Sequence, residues 1–242
     1  MASSTVYKKY QSKCDYSYTL GAFPTIELLK NKPDQVIKIL IHPDMDSEEQ
    51  LNILTELCNK NKIELCKSKA EVERLRDKEN IYCIGIFNKY DEKLKDSKGH
   101  VVLVNPGDMG NLGTIIRTAI GFGIDDLAII EPAADIFNPK AVRASMGALF
   151  QLRFRRYSSF DEYESENKDR EFFPFMLKGA TDLQKLDKSH VDKYALIFGN
   201  EATGLPDEFA NKGTSVLIRH EKTIDSLNLS MACGIALYEF TK

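Results

Sequence analysis

From Val101 onward the chain alternates short apolar runs with amphipathic stretches, and this rhythm constrains the fold more than any other feature. "VVLVN" is a continuous β-branched run, "NLGTIIRTAIGFG" follows with helical spacing and a glycine end, and "DDLAII" is the next strand-like run. "PKAVRASMGALF" contains a helix beginning near a proline. "LFQLRFRRY" and "FFPFML" read as strands around an acidic helix, and "YALIF", "TSVLI" and a final helix complete the series. Strands alternating with helices at this spacing predict a mainly parallel sheet, because parallel neighbours need a crossover between them. The first third has its own rhythm: strand-like "QVIKILIH", a Ser-capped helix in "SEEQLNILTELCNKN", "IELC", helical "KAEVERLRDK" and apolar "IYCIGIF". The polar stretch "NKYDEKLKDSKGH" separates the two parts and reads as a linker. The expected architecture is α/β in two domains, residues 1–96 and 97–242, the larger one C-terminal.

Composition narrows the function. With 242 residues, 43% hydrophobic and 29% charged, the chain has the balance of a globular protein with a real core. The first twenty residues lack the apolar stretch of a signal peptide and no run reaches transmembrane length, so a cytoplasmic, membrane-free location is expected. Cys14, Cys58, Cys66, Cys83 and Cys233 are odd in number and scattered, and read as reduced thiols. The four histidines show no ligand spacing, so no metal is expected. A net charge of −3 argues against nucleic-acid binding by bulk charge but leaves room for a local basic face. "RFRRY" (Arg153–Tyr157) is the obvious stripe; as an ion-paired or solvated strand edge it needs no ligand.

Ligands of such sheets bind beyond the carboxyl ends of the strands. Three loops there are rich in glycine and polar residues: "NPGDMGNLGTIIRTA" after "VVLV", "GNEATGLP" after "YALIF", and "RHEKTIDSLNLS" after "TSVLI". Glycines let a backbone approach a ligand closely, and polar groups at three strand ends expected to be adjacent suggest one shared pocket. Gly107, Gly110 and Gly113 are spaced three and three, unlike the G-x-G-x-x-G of a dinucleotide site. There is no Gly-Lys-Ser/Thr of a P-loop and no G-x-S-x-G nucleophile elbow. The last stretch, "TIDSLNLSMACGIALYEF", raises a further question, since a helix without charge from Leu229 to Tyr238 opens on Asp225, Ser226, Asn228 and Ser230. Asp and Ser at such a place are ordinary N-caps. Asn228, read as lying inside the first turn, would compete with the backbone there.

Together and in this order, the loops resemble the TrmH/SpoU branch of the SPOUT superfamily of RNA methyltransferases. "GNLGTIIRTA" looks like the first motif, with an Asn, a Gly and an Arg six residues after the Asn; "LIFGNEATGL" is similar to the second and "SLNLSMA" to the third. The resemblance runs from about Val101 to the C-terminus, and "VRASMGALF" lies between the motifs as it does in relatives. More loosely, "YTLGAFPTIELL" resembles the opening of the small α/β RNA-binding domain of related enzymes. The resemblance implies a C-terminal α/β trefoil-knot methyltransferase domain behind that small domain, S-adenosyl-L-methionine as cofactor, a ribose 2′-hydroxyl of ribosomal or transfer RNA as acceptor, and a homodimer whose active sites use both chains. Periodicity shows no knot, and general topology rules argue against one.

By the same resemblance Arg117 stands at the place of the catalytic arginine. A guanidinium holds its proton too tightly to be a good base, so it is expected to clamp phosphate and stabilise the developing oxyanion. Asn111 orients the loop or the ribose unless it is simply the helix N-cap, and Glu201 holds loop geometry or Arg117. Gly199, Asn200, Gly204, Ile218, Leu227 and Asn228 are expected at the cofactor, with the backbone of Gly199, Ile218 and Leu227 cradling the adenosine. Ser226 and Asn228 tie the cofactor loop to the substrate ribose. Two departures matter: where the family usually has Pro and Met after the residue matching Ile218, this chain has Arg219 and His220, then Glu221 and Lys222, and the first motif has a longer approach, "NPGDMGN", read as subfamily variation. An RNA-binding or assembly protein that has lost catalysis is the main alternative, and a nicotinamide-dependent oxidoreductase a third.

Overall fold

The computed structural model describes residues 6–178, 181–221 and 223–242. The chain forms two compact units, Met1–Tyr90 with Asp135–Phe150, and Asp91–Ala134 with Gln151–Lys242. Residues 135–150 lie between the motif loops in sequence yet fold with the first unit.

The first unit holds β1 (Tyr16–Leu20), α1 (Ala22–Asn31), β2 (Val36–Ile41), α2 (Glu48–Asn61), β3 (Leu65–Lys67), α3 (Lys69–Leu75) and β4 (Cys83–Asn88). Its sheet runs β1-β4-β2-β3, with β4 antiparallel to both neighbours and β2 parallel to β3. Ser47 and Ser68 cap α2 and α3, each accepting a backbone N–H three residues on. The 135–150 segment adds the short α5 (Pro139–Ala144), which packs on β1, and the Ser17 hydroxyl donates to the Phe137 carbonyl.

The second unit contains β5 (Gly99–Val104), α4 (Met109–Gly121), β6 (Asp126–Ile130), β7 (Arg153–Tyr157), α6 (Phe160–Glu166), β8 (Glu171–Pro174), β9 (Thr181–Asp182), β10 (Tyr194–Phe198), β11 (Val216–Leu217) and α7 (Leu229–Thr241); α5, of the first unit, spans Pro139–Ala144. Five strands pair in the order β7-β6-β5-β10-β8, every pair parallel. β5, β6 and β10 are buried along their whole length, which explains why they read as continuous apolar runs. α4 packs against α7 through faces that bury Ile115, Ile116 and Ala119 on one helix and Cys233, Ala236 and Leu237 on the other. β11 pairs with β9 in a separate two-stranded sheet, so the "TSVLI" strand is not a neighbour of β5 and β10 as expected.

"RFRRY" is the edge strand β7, and its arginines are spoken for. Arg153 forks onto Asp125 and Asp126, Arg155 onto Glu166 at 2.6 Å and Glu162 at 3.6 Å, and Arg156 onto Asp91 at 3.1 Å. All five cysteines are free thiols. Among the described residues no helix is long and apolar enough to cross a membrane, and no group of three His, Cys, Asp or Glu side chains could hold a metal.

His100, fully buried on β5, makes stability depend on pH. Its Nε2 lies 3.0 Å from the Lys95 carbonyl, which can only accept, and its Nδ1 lies 3.0 Å from the Tyr163 hydroxyl. Burial first, and then the Arg170 guanidinium, push its pKa down from 6.5 to about 4. Between those values the unfolded chain binds a proton that the folded chain refuses, so stability present above pH 6.5 is lost as pH falls towards 4. Unfolding free energy is expected to be about 2 kcal/mol lower at pH 5 than at pH 7. Urea titrations at both pH values check this, and His100→Gln should flatten the difference; an unchanged slope in that variant would assign it elsewhere.

Candidate functional site

β5 and β10 lie side by side, while β6 and β8 extend the sheet in opposite directions from them. The chain order reverses at that pair, and the crevice beyond its carboxyl ends is where a parallel sheet receives a ligand. After β5, Asn105 takes a left-handed φ of 53°, a conformation Asn tolerates better than most residues. Asp108 then caps α4 by accepting the Asn111 N–H at 2.7 Å. Asn111 is therefore inside the helix, and the cap is a residue the sequence reading passed over. After β10 the chain folds back on itself: a Cβ on Gly199 would lie 2.2 Å from the carbonyl carbon of Gly204, so only glycine fits. Gly204 has φ 69°, and its N–H donates to the Asn200 carbonyl at 2.9 Å. The Asn200 side chain accepts from the Ala202 N–H at 2.9 Å and donates to the Asn105 carbonyl at 2.8 Å, fastening one loop to the other.

Glu201 is the centre of this junction. Its carboxylate accepts the backbone N–H of Gly107 at 2.9 Å and of Asp108 at 3.1 Å, and the Asn111 side-chain amide at 3.2 Å. Burial works to raise its pKa, but the N–H donors of Gly107, Glu201 itself and Asp108, with the Asn111 amide, prevail and hold it below the usual carboxylate range. A carboxylate filled with donors at the start of α4 also suits the positive end of the helix. Of the two roles expected of Glu201, holding the loop is the one the geometry displays, since no ion pair with Arg117 forms.

Asn111 carries the connection onward. Its side-chain oxygen accepts from the Asn228 amide at 3.1 Å. Asn228 in turn is the N-cap of α7, accepting the Ser230 N–H at 2.9 Å, the Ser230 hydroxyl at 2.6 Å and the Met231 N–H at 3.4 Å. This corrects the sequence reading, which put Asn228 within the first turn and gave capping to Asp225 and Ser226. Both of those precede the helix, which starts one residue after Asn228. Glu201, Asn111 and Asn228 thus join the three motif loops in one chain of hydrogen bonds.

Beside it lies a cavity of about 330 Å³, walled by residues 175–178, 198–205 and 216–218, with Asp207, His220, Ser226, Leu227, Leu229 and Ala232. Its lining includes Gly199, Asn200, Gly204, Ile218 and Leu227, with Glu201 and Ser226. Asn111, Asn228 and Arg117 are not part of this wall; the Asn228 side chain is committed to its cap and to Asn111. Arg117 stands exposed on α4 and makes no side-chain hydrogen bond or ion pair among the described residues. Phe175, stacked on Phe198 at 4.7 Å, and Leu229 and Ala232 of α7 give the cavity apolar surface that "FFPFML", read only as a strand, did not disclose. Lys222 of the polar turn lies outside the described residues. The volume is at the lower end of the range for small-ligand sites, and exposed main chain beside flat apolar side chains suits a nucleoside.

The chain is 30% identical over 152 residues to the 23S rRNA (guanosine(2553)-2′-O)-methyltransferase RlmP of Bacillus subtilis, matching 61% of this chain and 60% of that one. It is 32% identical over 145 residues to the 23S rRNA (uridine(2479)-2′-O)-methyltransferase of Streptomyces viridochromogenes, matching 57% of this chain and 50% of that one. The chain therefore spans only half to three fifths of these relatives' length. An AdoMet-bound rRNA methyltransferase from Sinorhizobium meliloti shares the fold, with a TM-score of 0.78 at 24% identity over 93% of this chain and 87% of that one. The profile of the SpoU rRNA Methylase family matches residues 98–238, which is more than half of the sequence and spans all three motif loops, and the chain belongs to that family.

Proposed function

We propose that this chain methylates a ribose 2′-hydroxyl of ribosomal or transfer RNA, using S-adenosyl-L-methionine bound in the cavity beyond β5 and β10. The observation that carries this reading is the joining of the three motif loops through Glu201, Asn111 and Asn228, beside a cavity lined by Gly199, Ile218 and Leu227. When bound, the cofactor supplies an electrophilic methyl group. The chain supplies the rest: Asn200 and Glu201 hold the cavity's loops in place, and main chain at Gly199, Ile218 and Leu227 meets the adenosine. Arg117, exposed and without a side-chain partner among the described residues, clamps an RNA phosphate and stabilises negative charge on the attacking oxygen. RlmP and the Streptomyces enzyme, both named for 2′-O-methylation, support the acceptor.

The same reading includes a trefoil knot in residues 97–242, with residues 1–96 serving as the RNA-binding domain, and a homodimer. The dimer rests on the outer face of α7, where Met231, Ile235 and Tyr238 are 58%, 41% and 55% exposed although the opposite face is core. A cytoplasmic location belongs to this reading too. Incubation with methyl-tritiated S-adenosylmethionine and unmodified ribosomal and transfer RNA, followed by nucleoside analysis, tests it. Label in 2′-O-methyl nucleosides is expected. Label on bases would overturn the acceptor, and no label despite cofactor binding would favour an RNA-binding protein that has lost catalysis.

A further inference from the structure

We propose that His220 is a specificity residue of the cofactor cavity, presenting an imidazole nitrogen as acceptor to an O–H or N–H donor on the nucleoside half of the ligand. The inference rests on reading this cavity as the S-adenosylmethionine site. His220 lines the cavity beside Ile218 and Ser226 and is half-buried there. Its Nδ1 lies 3.0 Å from the Ile218 carbonyl oxygen. A carbonyl only accepts, so Nδ1 carries the proton, and in the neutral ring Nε2 is then a bare acceptor. Among the described residues nothing donates to Nε2.

The protein also fixes where that nitrogen sits. Arg219, next in the chain, pairs with Asp182 at 2.5 Å, and the other oxygen of Asp182 accepts the Gln184 N–H at 3.1 Å. The pairing of β11 with β9 anchors the same segment from its amino side. Two of the wall's other polar side chains are already used: Glu201 is filled by the α4 loop, and the Asn200 side chain is spent on Asn105 and Ala202. The relatives that the motifs resemble usually have Pro and Met at these two positions, and a thioether is only a weak acceptor. The Arg219–His220 pair thus replaces a rigid apolar wall with a clasped one that bears a directed acceptor. A nucleoside offers two kinds of donor for it, the ribose hydroxyls and the exocyclic amine.

Isothermal titration of the full chain with S-adenosylhomocysteine tests this. His220→Leu, which keeps apolar bulk and loses the acceptor, should bind about three- to tenfold more weakly, the range of one net hydrogen bond. His220→Gln, which can offer an amide oxygen, should recover most of that loss. The titration is repeated with deoxyribose analogues and with the N6,N6-dimethyl analogue. The analogue against which wild type and His220→Leu bind equally identifies the donor. Equal binding of S-adenosylhomocysteine by wild type and His220→Leu would overturn the proposal. So would a difference that survives every analogue, since that would measure packing. Wild type that fails to bind S-adenosylhomocysteine at all would overturn the functional reading itself, and this inference with it.

Discussion

Arg117→Ala is expected to slow methyl transfer by about 10²- to 10³-fold while leaving S-adenosylhomocysteine affinity within about twofold of wild type. The separation follows from position. Arg117 lies on α4 six residues beyond Asn111, is exposed, and is absent from the wall of the cavity. Removing it therefore leaves the Glu201 junction and the cavity intact. What disappears is a guanidinium with no side-chain partner among the described residues, placed to meet a phosphate oxygen and the oxygen on which charge develops. Arg117→Lys should recover only part of the rate, because an ammonium keeps the charge and loses the planar fork. Single-turnover transfer of labelled methyl groups measures the rate, and calorimetry measures the affinity. Full activity in Arg117→Ala would remove this residue from the mechanism, whereas equal losses in rate and cofactor affinity would make it a binding residue.

Ile235→Asp should convert the proposed dimer into a folded, inactive monomer. α7 is apolar on nearly every side: Cys233, Ala236, Leu237 and Phe240 are buried in the unit, while Met231, Ile235 and Tyr238 project outward. A helix apolar all round is normally buried all round, and here one stripe has no cover among the described residues. The stripe is spaced i, i+4, i+7 and continues onto Phe122, the C-cap of α4, which meets Tyr238 edge to face at 6.3 Å. An aspartate there costs little in the monomer, since position 235 already faces outward. In a closed interface an unpaired carboxylate costs about 3 kcal/mol or more, which raises the dissociation constant by at least about 10²-fold. Sedimentation velocity reads the oligomeric state and circular dichroism the fold. A dimer that persists in Ile235→Asp would place the interface elsewhere, and an active monomer would show that each site is complete in one chain.

Much of the site could be read directly from residue types. A loop that must double back where a Cβ would strike backbone leaves glycine at 199, and a left-handed turn leaves glycine at 204. The acid between them stands out because a short apolar strand precedes it. Those local demands made "GNEATGL" legible, just as β-branched continuity made β5, β6 and β10 legible as buried parallel strands. Helix boundaries were less so. Asp108 and Asp225 are equally plausible caps on paper, yet only the first serves. The choice at α7 went to Asn228, because Asn111 on another helix holds its amide while its oxygen reaches Ser230 and Met231.

The sequence by itself determined the alternation of strands and helices, the three polar loops that hydrogen bonds join, and the membership in the family, since each is written in residues near one another. Tertiary structure alone decided that residues 135–150 fold with the first unit, that β11 leaves the main sheet for β9, and that the arginines of "RFRRY" are consumed by acids from three other segments. It also decided that Glu201 holds Gly107 and Asp108, more than ninety positions away. The physical reason is range. Backbone propensity and glycine sterics act within a few residues and leave a local signature, whereas a hydrogen bond or ion pair between distant segments takes its partner from the path of the whole chain.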